Sequence, residues 1–140
     1  MAYWLFQSNP KHYRVLDAIR NFEEVPWLIK HRAQEIQPED GVLIWMAGPE
    51  AGVYAIAEVL EPAHVVDEPP DLDYWIDPKR AKAKPYVKIR FIRKLLGQPL
   101  RRMDLKHEPV LKQLSVIQQA TFTVYEVTPE QWLRVYALKG

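Results

Sequence analysis

Two serines, Ser8 and Ser115, and four histidines, His12, His31, His64 and His107, make up the chain's obvious stock of nucleophiles and imidazole bases. Neither serine lies in a nucleophile-elbow sequence. No histidine has a second ligand at helical metal spacing, so each reads as a surface or edge residue. The absence of cysteine removes thiolate chemistry, disulfides and Cys-based zinc sites together. The acidic run Asp67-Glu68-Pro69-Pro70-Asp71-Leu72-Asp73 offers oxygen ligands for a hard cation, but its prolines and missing glycine do not fit a calcium loop. Gly48-Pro49-Glu50-Ala51-Gly52 reads as a turn and not a phosphate cradle, since Pro49 lacks an N–H and Glu50 repels phosphate. No catalysis, metal or cofactor is expected. The residues argue for binding.

The binding chemistry resides in aromatic rings and short polar side chains. Five Trp and seven Tyr are many to place in the core of a chain of 140 residues. Trp4 and Trp132 fit strand and helix patterns and read as packing residues. Trp27, after Pro26 at a strand entry, and Trp45, near the end of a strand that stops at Gly48, are either core or the walls of a pocket. Both are expected near the Ser8-Asn9 corner that ends the first strand. Flat indoles stack on a nucleobase, gaining ~1–3 kcal/mol per base. Directed polar groups must then meet the base edge, because a desolvated edge left unpaired is costly. Ser8 and Asn9 supply a hydroxyl and an amide there, although Asn9 is also a natural helix cap.

Net charge is +1, but the charges are segregated along the chain. Between Ala33 and Pro78 there are eleven Asp and Glu and no Lys or Arg; between Lys79 and Lys106 there are eleven Lys and Arg against Asp104 alone. Lys79, Arg80, Lys82, Lys84, Lys88 and Arg90 are therefore the candidate phosphate contacts, on a basic face of a nearly neutral molecule. The alternative is that the two blocks neutralise one another.

Elements that must position these residues follow from pattern. Ala2–Gln7 reads as a strand, with Asn9-Pro10 starting a helix whose apolar stripe is Val15, Leu16, Ile19 and Phe22. Val25–Ile29 is a short strand. Val42–Ala47 and Gly52–Leu60 form a hairpin, and Glu61–Pro85, with five prolines, is an extended excursion carrying Tyr74-Trp75. Tyr86–Ile92 alternates apolar and basic residues as a strand, Glu108–Leu114 is a short helix, and Phe122–Val127 is a last strand. Thr128-Pro129-Glu130-Gln131 is a capping box opening a terminal helix. Length and composition (48% hydrophobic, 26% charged) predict one folded domain over residues 1–140. No apolar run approaches the ~20 residues that span a bilayer, and Met1–Pro10 does not read as a signal peptide. A cytoplasmic protein is the expectation. The fold expected is α+β, a β-barrel of short, mostly antiparallel strands flanked by short helices.

The order of three segments resembles the EVE domain, a relative of the PUA and YTH modules. They are the aromatic strand ending in Ser8-Asn9-Pro10; Glu39-Asp40-Gly41-Val42 through Trp45, followed by Gly52 through Val59; and Val127-Thr128-Pro129-Glu130-Gln131-Trp132. The resemblance implies a PUA-like barrel whose aromatic pocket takes a modified base, such as methylated or hydroxymethylated cytosine, in DNA or RNA. By position it implies a pocket of Ser8, Asn9, Trp27 and Trp45. Gln7-Ser8-Asn9-Pro10 departs from the Lys-Ser-Glu-Pro of many relatives, and their Trp-x-Gly-Val-Arg-Asn stretch is absent. Val25-Pro26-Trp27-Leu28 stands in its place and resembles a branch fused to nucleases that cut modified DNA, implying a restriction-type nuclease as a partner. Three alternatives remain: a structured-RNA module indifferent to modification, a protein-interaction adaptor anchored by Tyr74-Trp75, and a metal-dependent hydrolase using the acidic run Asp67–Asp73.

Overall fold

The chain's aromatic and β-branched runs assemble into one seven-stranded sheet in a computed structural model that describes residues 1–140. The strands are β1 (Tyr3–Ser8), β2 (Glu24–Leu28), β3 (Gly41–Met46), β4 (Gly52–Val66), β5 (Lys84–Lys94), β6 (Leu100–Arg101) and β7 (Val124–Glu126). Their order is β2-β5-β4-β3-β1-β7, with β6 paired to the start of β4. Only β1 and β3 run parallel, with Tyr3 opposite Gly41 and Ser8 opposite Met46. The helices are α1 (Val15–Asn21), α2 (Arg102–Leu105), α3 (Ser115–Gln118) and α4 (Pro129–Lys139).

β3 is buried at all six positions, Gly41 through Met46, because the sheet is covered on both sides. Strand alternation divides the interior into two clusters. Trp4, Phe6, Val42, Ile44 and Met46 face one side with Val25, Trp27, Ile29 and α1. Leu5, Leu43, Trp45, Val53 and Ile56 face the other, under Trp132 and Val135 of α4. Asp40, only 3% exposed, ties the leading ends of β1 and β3 together. It accepts from the Ala2 N–H (3.0 Å), the Trp4 indole N–H (2.9 Å) and the Gln37 N–H (2.9 Å). Helix α4 opens on the expected capping box, Thr128 with Gln131, with Pro129 in the first turn.

The α+β class stands, but the barrel does not close: β2 and β7 end the hydrogen-bonded path and no pairing joins them. Several element boundaries also differ from expectation. Helix α1 begins at Val15 without a side-chain cap. Asn9 instead heads a tight turn, its carbonyl accepting from the N–H groups of His12 and Tyr13. β4 continues to Val66 through Pro62, which sits where the register with β5 shifts and no ladder bond is demanded of it. Pro26 is accommodated because β2 is an edge strand, paired to β5 alone. The remainder of the proline-rich excursion forms short 3-10 turns at Leu72–Tyr74 and Pro78–Arg80. The stretch 108–114 holds only a 3-10 turn, Leu111–Gln113, because the Glu108 carboxylate caps it through the Val110 and Leu111 N–H groups.

Candidate nucleic-acid interface

The gap that would have to close to complete a barrel is occupied by a cleft of about 570 Å³. It is lined from β1 and its corner (Gln7, Ser8, Asn9), from β2 and beyond (Pro26–Lys30), and by Thr123 just before β7. His12, Tyr13, Trp75, Arg80, Lys84 and Pro85 complete it. β2 delivers Trp27 by alternation: Val25, Trp27 and Ile29 turn inward. The Trp27 ring lies near-parallel to Phe6 (centroids 6.3 Å, 22°) and meets Tyr13 edge-on at 6.0 Å. Trp75 packs on Tyr13 at 4.9 Å, brought there by an isolated bridge between the two residues. Three rings from distant parts of the chain thus share one wall.

Tyr13 is fixed from behind. Its hydroxyl donates to Oδ2 of Asp71 at 2.5 Å, and Asp71 is 1% exposed. Burial, and then the neighbouring carboxylate, pushes the Tyr13 hydroxyl far above the ordinary tyrosine value. Burial raises the Asp71 carboxyl above its usual 3.8, outweighing the stabilising bond from Tyr13. Three buried polar side-chain atoms of the chain lack a partner: Asp71 Oδ1, Trp75 Nε1 and Thr123 Oγ1. Two belong to cleft residues and the third to the carboxylate that holds Tyr13. Orphaned polar groups cost ~1–3 kcal/mol each, and all three lie in or directly behind the cleft.

At the polar corner, the Ser8 hydroxyl makes no hydrogen bond within the protein, while its carbonyl accepts from Ala47. The Asn9 Oδ1 accepts from the Lys11 N–H at 2.9 Å, which leaves Nδ2 as a free donor. Ser8, Asn9 and Trp27 therefore come together. Trp45 does not join them. It is 1% exposed on the opposite side of the sheet, among Leu43, Val53 and Trp132. Its backbone is level with Gln7, but the pleat turns its ring toward α4 and gives the cleft side to Ile44 and Met46.

The cations sort by partner. Lys82 pairs with Glu68 (3.5 Å), Lys88 with Glu24 (3.3 Å) and Glu61 (3.6 Å), and Arg90 with Glu58. The hydrogen bond and charge of Glu24, with Glu61 behind it, raise Lys88 above the ordinary lysine value. Lys79, Arg80 and Lys84 have no carboxylate partner, nor does Lys30, which the sequence did not single out. Arg80, Lys84 and Lys30 stand on the cleft itself, and Lys79 on the same Asp77-capped turn as Arg80. Tyr13, Trp75, Lys30 and Thr123 were missed because they meet only through tertiary return of the chain. Tyr74-Trp75 is also no exposed anchor: Tyr74 packs on Phe22 and accepts from Asn21, and Trp75 is on the cleft wall. No group of three His, Asp or Glu side chains is arranged to hold a metal, and no helix is long and apolar enough to cross a membrane.

The EVE domain family model matches residues 2–138. The chain belongs to the EVE domain family. Among solved structures, this EVE domain is similar to a hypothetical protein from Leishmania major (20% identity, 99% of this chain and 94% of that one, TM-score 0.73). It is similar also to human THYN1, solved in complex with DNA containing 5-methylcytosine (14%, 99% and 97%, TM-score 0.69). A third is the YTH domain of the MRB1 protein of Zygosaccharomyces rouxii, in complex with N6-methyladenosine RNA (11%, 98% and 85%, TM-score 0.61). At these identities the likeness is one of fold. No curated protein is significantly similar to the chain in sequence.

Proposed function

We propose that this EVE domain is a non-enzymatic reader that takes one modified nucleobase, of the methylated or hydroxymethylated cytosine type, into the cleft between β2 and β7. The observation that carries this reading is one concavity that combines an aromatic wall, a polar corner and cations without carboxylate partners. Trp27, Tyr13 and Trp75 form the wall, Ser8 and Asn9 present a hydroxyl and an amide donor to the base edge, and Lys30, Arg80 and Lys84 hold phosphates. A methyl group on the base adds ~0.8 kcal/mol when it meets apolar surface, which is enough for preference without chemistry. The modified-base complexes of human THYN1 and of the yeast YTH domain lie on the same fold and support the class of ligand. A reader of this kind acts through a partner, and a restriction-type nuclease fits that role.

The test is a titration against strands that differ only in one base: cytosine, 5-methylcytosine, 5-hydroxymethylcytosine, adenine or N6-methyladenine, as DNA and as RNA. Tighter binding to a modified strand is expected. Equal affinity for every strand refutes modified-base reading and leaves a general nucleic-acid module; no affinity for any refutes both.

A further inference from the structure

Besides the cleft, the surface carries a second, shallower hollow of about 330 Å³, lined by Lys106, Lys112, Gln113, Ile117 and Gln118. Lys106 closes the basic stretch of the sequence and Lys112 lies past its end. Neither lysine enters an ion pair. Glu108, between them in sequence, is turned elsewhere: its carboxylate receives the Arg134 guanidinium and the Val110 and Leu111 N–H groups. Asp104 pairs with neither lysine. The Gln118 amide donates to the Lys112 carbonyl at 3.1 Å and fixes the backbone there. The hollow therefore offers two free ammonium groups and no carboxylate.

Hydrogen bonds tie this hollow to the cleft. Gln7 lines the cleft, and its amide donates to the carbonyls of Phe122 (2.6 Å) and Ala120 (3.2 Å), the latter two residues from Gln118. The Tyr125 hydroxyl holds the same segment, donating to the Gln119 carbonyl (2.7 Å) and accepting from the Phe122 N–H (2.9 Å). Residues Gln118, Gln119, Ala120, Thr121 and Phe122 are all exposed, and none is charged. From Gln118 on the hollow to Thr123 on the cleft, the chain spans at most about 18 Å, the rise of about five base pairs. A fixed, uncharged ridge thus joins two concavities whose linings contain Lys and Arg but neither Asp nor Glu.

A base held in the cleft stays joined to its neighbours, and the phosphates flanking it must cross the rim. Contacts to those phosphates fix the orientation of a nucleic acid without reading its sequence. A route free of carboxylates that ends at two unpaired lysines meets that need. We propose that Lys106 and Lys112 hold phosphates of the nucleic acid that leaves the cleft across Gln118–Phe122, so that the interface extends about five base pairs to one side of the bound base. This inference rests on the base-reading proposal and adds the course of the strand.

The experiment compares wild type, K106Q/K112Q and the charge-retaining K106R/K112R on oligonucleotides of one length, about 16 nucleotides, as duplex and as single strand. 5-Methylcytosine, 5-hydroxymethylcytosine or N6-methyladenine is placed near one end, at the centre or near the other end. K106Q/K112Q should weaken binding when the base is central or near one end, and leave it within about twofold when the base is near the other. Where binding weakens on duplex DNA, the salt slope should become shallower by about 1.8, so that the loss shrinks about twelvefold between about 50 and 200 mM salt. On single strands the slope should change by about 1.4. The ratio of affinities for modified and unmodified base should not move, and K106R/K112R should bind as wild type. No loss at any position, or equal losses at both ends, would overturn the proposed course of the strand and leave base reading intact. Failure of the wild type to bind any probe in either form would overturn base reading and this inference with it.

Discussion

Neutralising Arg80 or Lys84 should change the salt dependence of nucleic-acid binding, whereas neutralising Lys88 or Arg90 should not. All four lie in the same basic stretch of sequence, so composition treats them alike. The structure separates them: Lys88 and Arg90 are engaged by Glu24, Glu61 and Glu58, while Arg80 and Lys84 stand on the cleft without a carboxylate. Each phosphate contact on duplex DNA contributes about −0.9 to the slope of log affinity against log salt concentration. Between about 50 and 200 mM salt, one contact changes affinity about 3.5-fold, and the three from Lys30, Arg80 and Lys84 about 40-fold. The assay is fluorescence anisotropy with a labelled duplex over a salt series, for wild type and for R80Q, K84Q, K88Q and R90Q. R80Q and K84Q should each make the slope shallower by about 0.9; K88Q and R90Q should leave it within about 0.3. If K88Q and R80Q lower the slope equally, the ion pairs do not determine which cations meet phosphate. A flat slope for the wild type would remove the basic rim from the interface altogether.

Trp27→Ala should weaken binding to a modified strand by ~1–3 kcal/mol, measured at a temperature where the variant remains folded by circular dichroism; unchanged affinity would exclude stacking on that ring. Trp45→Phe should leave affinity within about twofold while lowering stability by ~1–3 kcal/mol, since it only thins the cluster beneath α4. Tyr13→Phe strips Asp71 of its one side-chain partner and should cost ~1–3 kcal/mol in denaturant unfolding. Adding Asp71→Asn to that variant should recover most of the loss, and a single-variant cost below ~1 kcal/mol would show the bond to be dispensable. Because burial raises Asp71 above 3.8 in the folded state, the neutral carboxyl is the form the fold prefers. Its contribution is complete below the unfolded value and declines as pH rises through the folded one. The stability of wild type relative to Asp71→Asn should therefore fall as pH climbs from 3.8, and a constant difference would contradict the assignment.

The strands and the terminal helix were legible wherever a local pattern coincided with its tertiary use. Tyr86–Ile92 alternates because one face of β5 is buried, and Thr128-Pro129 stops and starts structure by capping alone. The corner Ser8-Asn9 and the inward Trp27 were legible for the same reason. Trp45 was not, because β3 is apolar on both faces and its sequence carries no sign of which side each residue takes. Open rather than closed topology was also invisible, since strand count and spacing are the same in both. Trp75 and Tyr13 are separated by sixty-two positions and meet through a single bridge, a pairing that no local propensity encodes. The free and paired cations differ only in which carboxylates of β2, β4 and the segment after β4 come to face them, so a charge count could identify the basic stretch but not its working members.

Pro26 has one more effect. An unclosed sheet leaves the outer rim of β2 with backbone groups that a neighbouring copy could zip onto, and such zippering would seal the entrance beside Trp27. A residue with no amide hydrogen in the middle of that short rim interrupts the template for intermolecular strand addition. The proline that makes β2 a poor strand in isolation thereby keeps the entrance clear at high protein concentration.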